Sequence, residues 1–148
     1  MNKWRIYLLI ACLFSLLCGC TQEKEYTIPP SGMMEVEGET YKIKVGNYRL
    51  AYKKGSMSVF EGTDAASPNQ IEETLETIAV PKGSVLKIHI PNNPKLSISL
   101  WKDDKSGKAK KLKNNLWEAS TATGRFIYEI KASWWYGEGS YPFVVEVN

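Results

Sequence analysis

Histidine and cysteine are scarce in this 148-residue chain: there is one histidine, His89, and there are three cysteines. Cys12, Cys18 and Cys20 all fall within the first twenty positions, so a domain built from the residues that follow holds no disulfide. It must rely on a hydrophobic core of its own, which about 115 residues are enough to supply. A single histidine cannot make the usual zinc ligand set, and no Asp-x-Asp-x-Asp-Gly calcium loop occurs, so neither a metal nor a cofactor is expected. Excess charge is also missing. The formal charge is +3, and without Lys3 and Arg5 the remainder has 17 basic and 16 acidic residues, or +1. That balance argues against nucleic acid as a partner, because a nucleic-acid binder carries a much larger basic footprint.

What is present at the N-terminus is a targeting pattern. Lys3 and Arg5 precede an apolar run over residues 6–17, and small Gly19 stands where a signal peptidase requires a small side chain. The run is short for a helix crossing about 30 Å of hydrocarbon. Leu17, Cys18, Gly19 and Cys20 resemble the lipobox of bacterial lipoproteins, an aliphatic residue and two small ones before a cysteine; Cys18 stands where Ala, Ser or Thr is usual. The resemblance implies diacylglyceryl transfer to Cys20 and cleavage before it. The chain would then be anchored by lipid on the extracytoplasmic face of the cell membrane. Two acyl chains suffice for stable attachment. The expected division is a signal peptide at 1–19, a lipidated tether at 20–32 and one domain at 33–148.

The tether is polar and then proline-rich, ending at Pro29, Pro30, Ser31 and Gly32. Beyond it, alternating apolar residues predict strands and almost no helix. Residues 40–45 and 48–52, joined by Gly46 and Asn47, predict a hairpin. Residues 85–90 and 96–101 predict two strands with a turn at Pro91, Asn92, Asn93 and Pro94 between them. Residues 102–113 read as a solvated loop or hairpin tip, followed by a short strand at Leu116 and Trp117. The clearest alternations are 125–132, which puts Phe126, Tyr128, Ile130 and Ala132 on one face, and 141–147. Only residues 70–77 have room for a helical turn. Roughly eight short strands without strand–helix alternation predict an all-β antiparallel sandwich, of the immunoglobulin-like kind.

The stretch from Gly124 through Phe126 and Tyr128 to Trp134 and Trp135, with Gly139, Tyr141, Phe143, Val145 and Val147 after it, resembles the C-terminal half of small Gram-positive lipoproteins of unknown function. Those proteins have a proline-rich start, a Gly-x-Tyr hairpin near the front, here Gly46, Asn47 and Tyr48, and a Gly-x-Tyr-x-Tyr strand near the back. Phe126 departs from that last pattern. The resemblance implies an immunoglobulin-like sandwich and names no activity.

Few residues offer chemistry, and no catalytic set emerges. His89 shares the parity of Val85 and Lys87, opposite Leu86, Ile88 and Ile90, and reads as a surface histidine. Glu35, Glu37 and Glu39 alternate along a strand face or turn that could attract a hard cation, but a solvated edge with lysines nearby explains them better. The stretch from Lys102 to Lys113 has a local charge of +4, with Lys105, Lys108, Lys110 and Lys111 as candidate contacts to an anionic surface; lysines that discourage edge pairing are the alternative. The aromatic run Trp134, Trp135 and Tyr136 is the main candidate for binding. Neighbouring strand residues face opposite sides, so one tryptophan, Trp134, is expected in the core, leaving Trp135 and Tyr136 to the other face or the loop, with Trp101 as a further candidate. Packing at the end of the sandwich is the competing explanation for both tryptophans. The expected function is a non-enzymatic envelope module binding a protein or a wall glycan. The alternatives are a small hydrolase using acidic residues and a structural or stress-response lipoprotein with no ligand.

Overall fold

A computed structural model describes residues 28–148. The lipobox, Cys20 and the signal segment lie outside the described residues. Twelve strands form two sheets, and the sole helical element described is a 3₁₀ turn at Pro68–Thr74. The smaller sheet contains β1 (Gly32–Val36), β2 (Glu39–Ile43), β6 (Val85–His89) and β10 (Leu116–Glu118), ordered β10-β6-β1-β2. The larger contains β3 (Tyr48–Lys54), β4 (Met57–Thr63), β7 (Lys95–Lys102), β8 (Lys105–Ser106), β11 (Gly124–Trp134) and β12 (Gly137–Val147), ordered β4-β3-β12-β11-β7-β8. To this sheet β5 (Thr77–Val80) adds a parallel pairing with β12, and β9 (Lys110–Lys111) pairs with β7. All other pairings are antiparallel, and the expected all-β sandwich is the fold.

Alternation explains how the sheets face each other. Met34, Leu86 and Ile88 of the smaller sheet and Tyr128, Ile130, Tyr141 and Phe143 of the larger are buried in one core. Trp117 closes it by standing edge-on to Tyr128, with ring centroids 4.4 Å apart. β11 and β12 pair over eleven residues each, from Gly124↔Val147 to Trp134↔Gly137, and form the centre of the larger sheet.

The expected hairpin over residues 40–52 does not form. β2 turns back on β1, with Val36 opposite Glu39, while β3 belongs to the other sheet and pairs with β4 and β12. Gly46 and Asn47 therefore cross between sheets. Their backbones are held to β12 by Gly46 N–H donating to Ser140 O at 2.8 Å and Ser140 N–H donating to Asn47 O at 2.7 Å. Period-two patterning marks each strand and its inner face; it carries no information about which strand pairs with which.

The expected tether ends earlier than its sequence suggests. Pro29 is buried, and Tyr141 O–H donates to Pro30 O at 2.8 Å, so residues 29–30 dock on β12. The 3₁₀ turn, at Pro68–Thr74, begins two residues before the segment 70–77 where a helical turn was expected and overlaps its first half, and Arg125 Nε reaches Glu72 Oε1 at 2.6 Å to fasten it to β11.

Candidate functional site

The aromatic run ends β11 and forms the tip of its hairpin with β12. Trp134 lies inside, its Nε1 donating to Pro91 O at 3.1 Å. Trp135 is 84% exposed. Tyr136, expected outside with it, is only 3% exposed: its ring stacks on Trp134 with centroids 5.6 Å apart, and its hydroxyl accepts from Asn92 Nδ2 at 3.3 Å. Tyr136 shares the parity of Ala132 and Trp134, so the alternation runs on through the tip and puts it inside; setting it outside with Trp135 did not carry that parity past the strand end. Trp135 remains as an exposed aromatic, its ring edge-on to Tyr136 at 5.4 Å.

A second feature lies on the outward face of the larger sheet. There β11 presents Ile127, Glu129 and Lys131, and β12 presents Ser140 and Glu138 beside them, as the pairing of Lys131 with Ser140 requires. The hairpin β3–β4 flanks one side and β7–β8 the other, leaving a groove of about 670 Å³. Glu129, Lys131, Glu138 and Ser140 line its floor, Tyr48, Arg49 and Asp64 one wall, and Trp101 and Ser106 the opposite wall. Of the three aromatic candidates only Trp101 lines it.

The groove is held by polar contacts. Asn47 fixes its rim, accepting the Ala65 N–H through Oδ1 and donating from Nδ2 to Ala65 O at 3.2 Å. Ser106 Oγ donates to Ser99 Oγ at 2.9 Å, which ties β8 to the outward row of β7. At the floor, Trp101 Nε1 donates to Glu129 Oε2 at 3.1 Å. Glu129 is a carboxylate only 6% exposed. Among the described residues, no Lys or Arg nitrogen comes within ion-pair distance of it.

Alternation along β11 puts Glu129 on the outward face, but its burial was not legible in the sequence, because it depends on which strands rise beside β11. The other candidates stay apart from the groove. Lys105, Lys108, Lys110 and Lys111 are exposed on and between β8 and β9, along the edge of the larger sheet. Lys110 and Lys111 are strand neighbours and point to opposite sides, so the four do not share one face. His89 is exposed on β6, opposite Met33 of β1. Glu35 lies on β1, Glu37 in the turn and Glu39 on β2, and no group of three metal-ligating residues occurs among the described residues. No described helix is long and apolar enough to cross a membrane.

No protein-family model and no curated protein matches the chain.

Proposed function

We propose that the chain is a lipid-anchored extracytoplasmic module that binds a glycan of the cell envelope in this groove. The observation that carries the proposal is the pairing of Trp101 with buried Glu129 at the floor of an open groove of about 670 Å³. Aromatic walls stack on apolar sugar faces, while carboxylate, guanidinium and hydroxyl groups meet sugar hydroxyls; Trp101, Glu129, Arg49 and Ser140 supply that combination. Trp135, outside the groove, is a further contact surface at the hairpin tip. A ligand-free structural lipoprotein would need neither, which favours binding over that alternative.

The immunoglobulin-like reading is supported by strand grouping. β1, β6 and β10 share one sheet and β7, β11 and β12 the other, matching the A-B-E and C-F-G grouping of such sandwiches, with β2, β3 and β4 inserted after the first strand.

Co-sedimentation of the full chain with purified wall polysaccharide tests the reading. Retention that falls at least tenfold for Trp101→Ala and survives Trp135→Ala is expected; a wild-type chain that stays in solution overturns it. The anchor is tested separately, since Cys20→Ala should abolish incorporation of labelled fatty acid and release the protein from the membrane.

A further inference from the structure

We infer that the groove selects ligands carrying a protonated amine, so that the glycan it takes is an amino sugar whose amine is free rather than acetylated. This rests on the glycan-binding reading and specifies its chemistry.

Glu129 supplies the argument. A buried carboxylate ordinarily has a cation beside it or several donors upon it, because its charge has lost the solvation of water. Among the described residues its partner is one neutral donor, the Trp101 indole N–H at 3.1 Å on Oε2. Glu129 nonetheless lines an open groove, so a ligand entering the groove can reach the carboxylate. An ammonium group is the complement of that site. It would supply the missing positive charge in a charge-assisted hydrogen bond and would lie beside Trp101, the aromatic type best suited to a cation.

The rest of the lining agrees. Asp64, Glu129 and Glu138 outnumber Arg49 and Lys131, leaving the groove negative by one charge in a domain that is close to neutral. Lys131 is the next outward residue on β11 but does not come within ion-pair distance of Glu129. Glu138 lies opposite Arg49, so acidic and basic groups alternate toward the β3 side, while the Trp101 end holds the unopposed carboxylate. An acetamide at that end would bring a neutral amide to Glu129 and leave its charge uncompensated.

The test is calorimetric titration of the full-length lipoprotein in detergent micelles with two matched probes. One is the β-1,4-linked tetrasaccharide of glucosamine, at a pH where its amines are protonated; the other is the same tetrasaccharide fully N-acetylated. The wild type should bind the free-amine probe at least tenfold more tightly, and Glu129→Gln, which keeps size and an acceptor, should remove most of that difference. Equal affinity for both probes, or preference for the acetylated one, overturns the amine inference and leaves glycan binding intact. Binding of neither probe overturns the inference and counts against the glycan reading too. The wild-type comparison does not depend on how well Glu129→Gln folds. A preference that persists undiminished in a folded Glu129→Gln variant overturns the assignment to Glu129.

Discussion

Trp101 and Glu129 meet diagonally across the pairing of β7 with β11. The register sets Trp101 against Ile127 and Ser99 against Glu129, and the indole N–H spans the offset to reach Oε2 at 3.1 Å. Diagonal neighbours on a sheet are within reach of a long aromatic side chain. The bond satisfies the Trp101 indole and places a donor on an otherwise weakly solvated carboxylate. Trp101→Phe should therefore destabilise the domain by about 1–3 kcal/mol, the cost of leaving a buried acceptor without its donor. Glu129→Leu added to Trp101→Phe should recover part of that loss, since no buried charge then remains. Urea denaturation of the single and double variants checks both expectations, and a double variant as unstable as the sum of its parts would show that the two side chains act independently.

Trp134 and Trp135 are adjacent in sequence and opposite in environment. Trp134→Ala should cost about 3–5 kcal/mol, as removal of a buried aromatic ring does. Trp135→Ala should stay within about 0.5 kcal/mol, because its ring is 84% exposed. Acrylamide quenching separates them without unfolding: Trp135→Phe should remove the most readily quenched fluorescence component and leave the shielded one.

Burial pushes the Tyr141 phenol well above its ordinary range, with Tyr136 adding to the effect, and burial raises Tyr128 too. Unfolded tyrosine ionises near about pH 10, so below that pH both states are protonated and this contribution to stability is fully present. Above it the unfolded chain ionises first, and stability is lost by up to about 1.4 kcal/mol per pH unit for each such tyrosine. Tyr141→Phe gives up the hydrogen bond to Pro30 O, worth about 0.5–1.5 kcal/mol, and should be less stable than wild type at neutral pH. Its deficit should narrow as pH climbs above about 10. Urea midpoints measured at neutral and alkaline pH decide this, and a deficit that widens with pH would contradict it.

The strands were legible where alternation was strict. Phe126, Tyr128, Ile130 and Ala132 all face inward, as do Tyr141, Phe143, Val145 and Val147, because a period of two has one solution against a single core. β4 was not legible, since Met57 and Phe60 are exposed on an edge strand and give the alternation no buried face to report. The crossover at Gly46 and Asn47 was misread because a glycine-containing turn between two alternating segments looks the same whether the segments pair or part. The groove was invisible for a related reason. Its floor comes from β11 and β12 and its walls from β3–β4 and β7–β8, so it exists only once the strand order is known. Trp101 was picked as an aromatic candidate, whereas Glu129 was passed over as one more polar residue on an alternating strand.

Gly137 decides whether the β3 wall stays in place. Its φ is +154°, and a Cβ there would lie 2.3 Å from Arg49 O and 2.8 Å from Leu50 Cα, so the close approach of β12 to β3 requires glycine. β3 pairs with β12 through Gly137, Glu138 and Gly139, matched to Leu50, Arg49 and Tyr48, and the seam is extended by Ala51 N–H donating to Tyr136 O at one end and by the bonds of Gly46 and Asn47 with Ser140 at the other. Gly137→Ala therefore strikes the seam that joins the β3–β4 hairpin to β12, at a cost of about 1–3 kcal/mol from backbone strain before any clash is counted. The expected signature is local. Amide exchange should accelerate across β3 and β4 while the β11–β7 pairing keeps its protection, and wall-glycan retention should fall although Gly137 does not line the groove. If exchange instead rises uniformly over the domain, the hairpin is not a separately held wall, and any loss of glycan retention would reflect global unfolding.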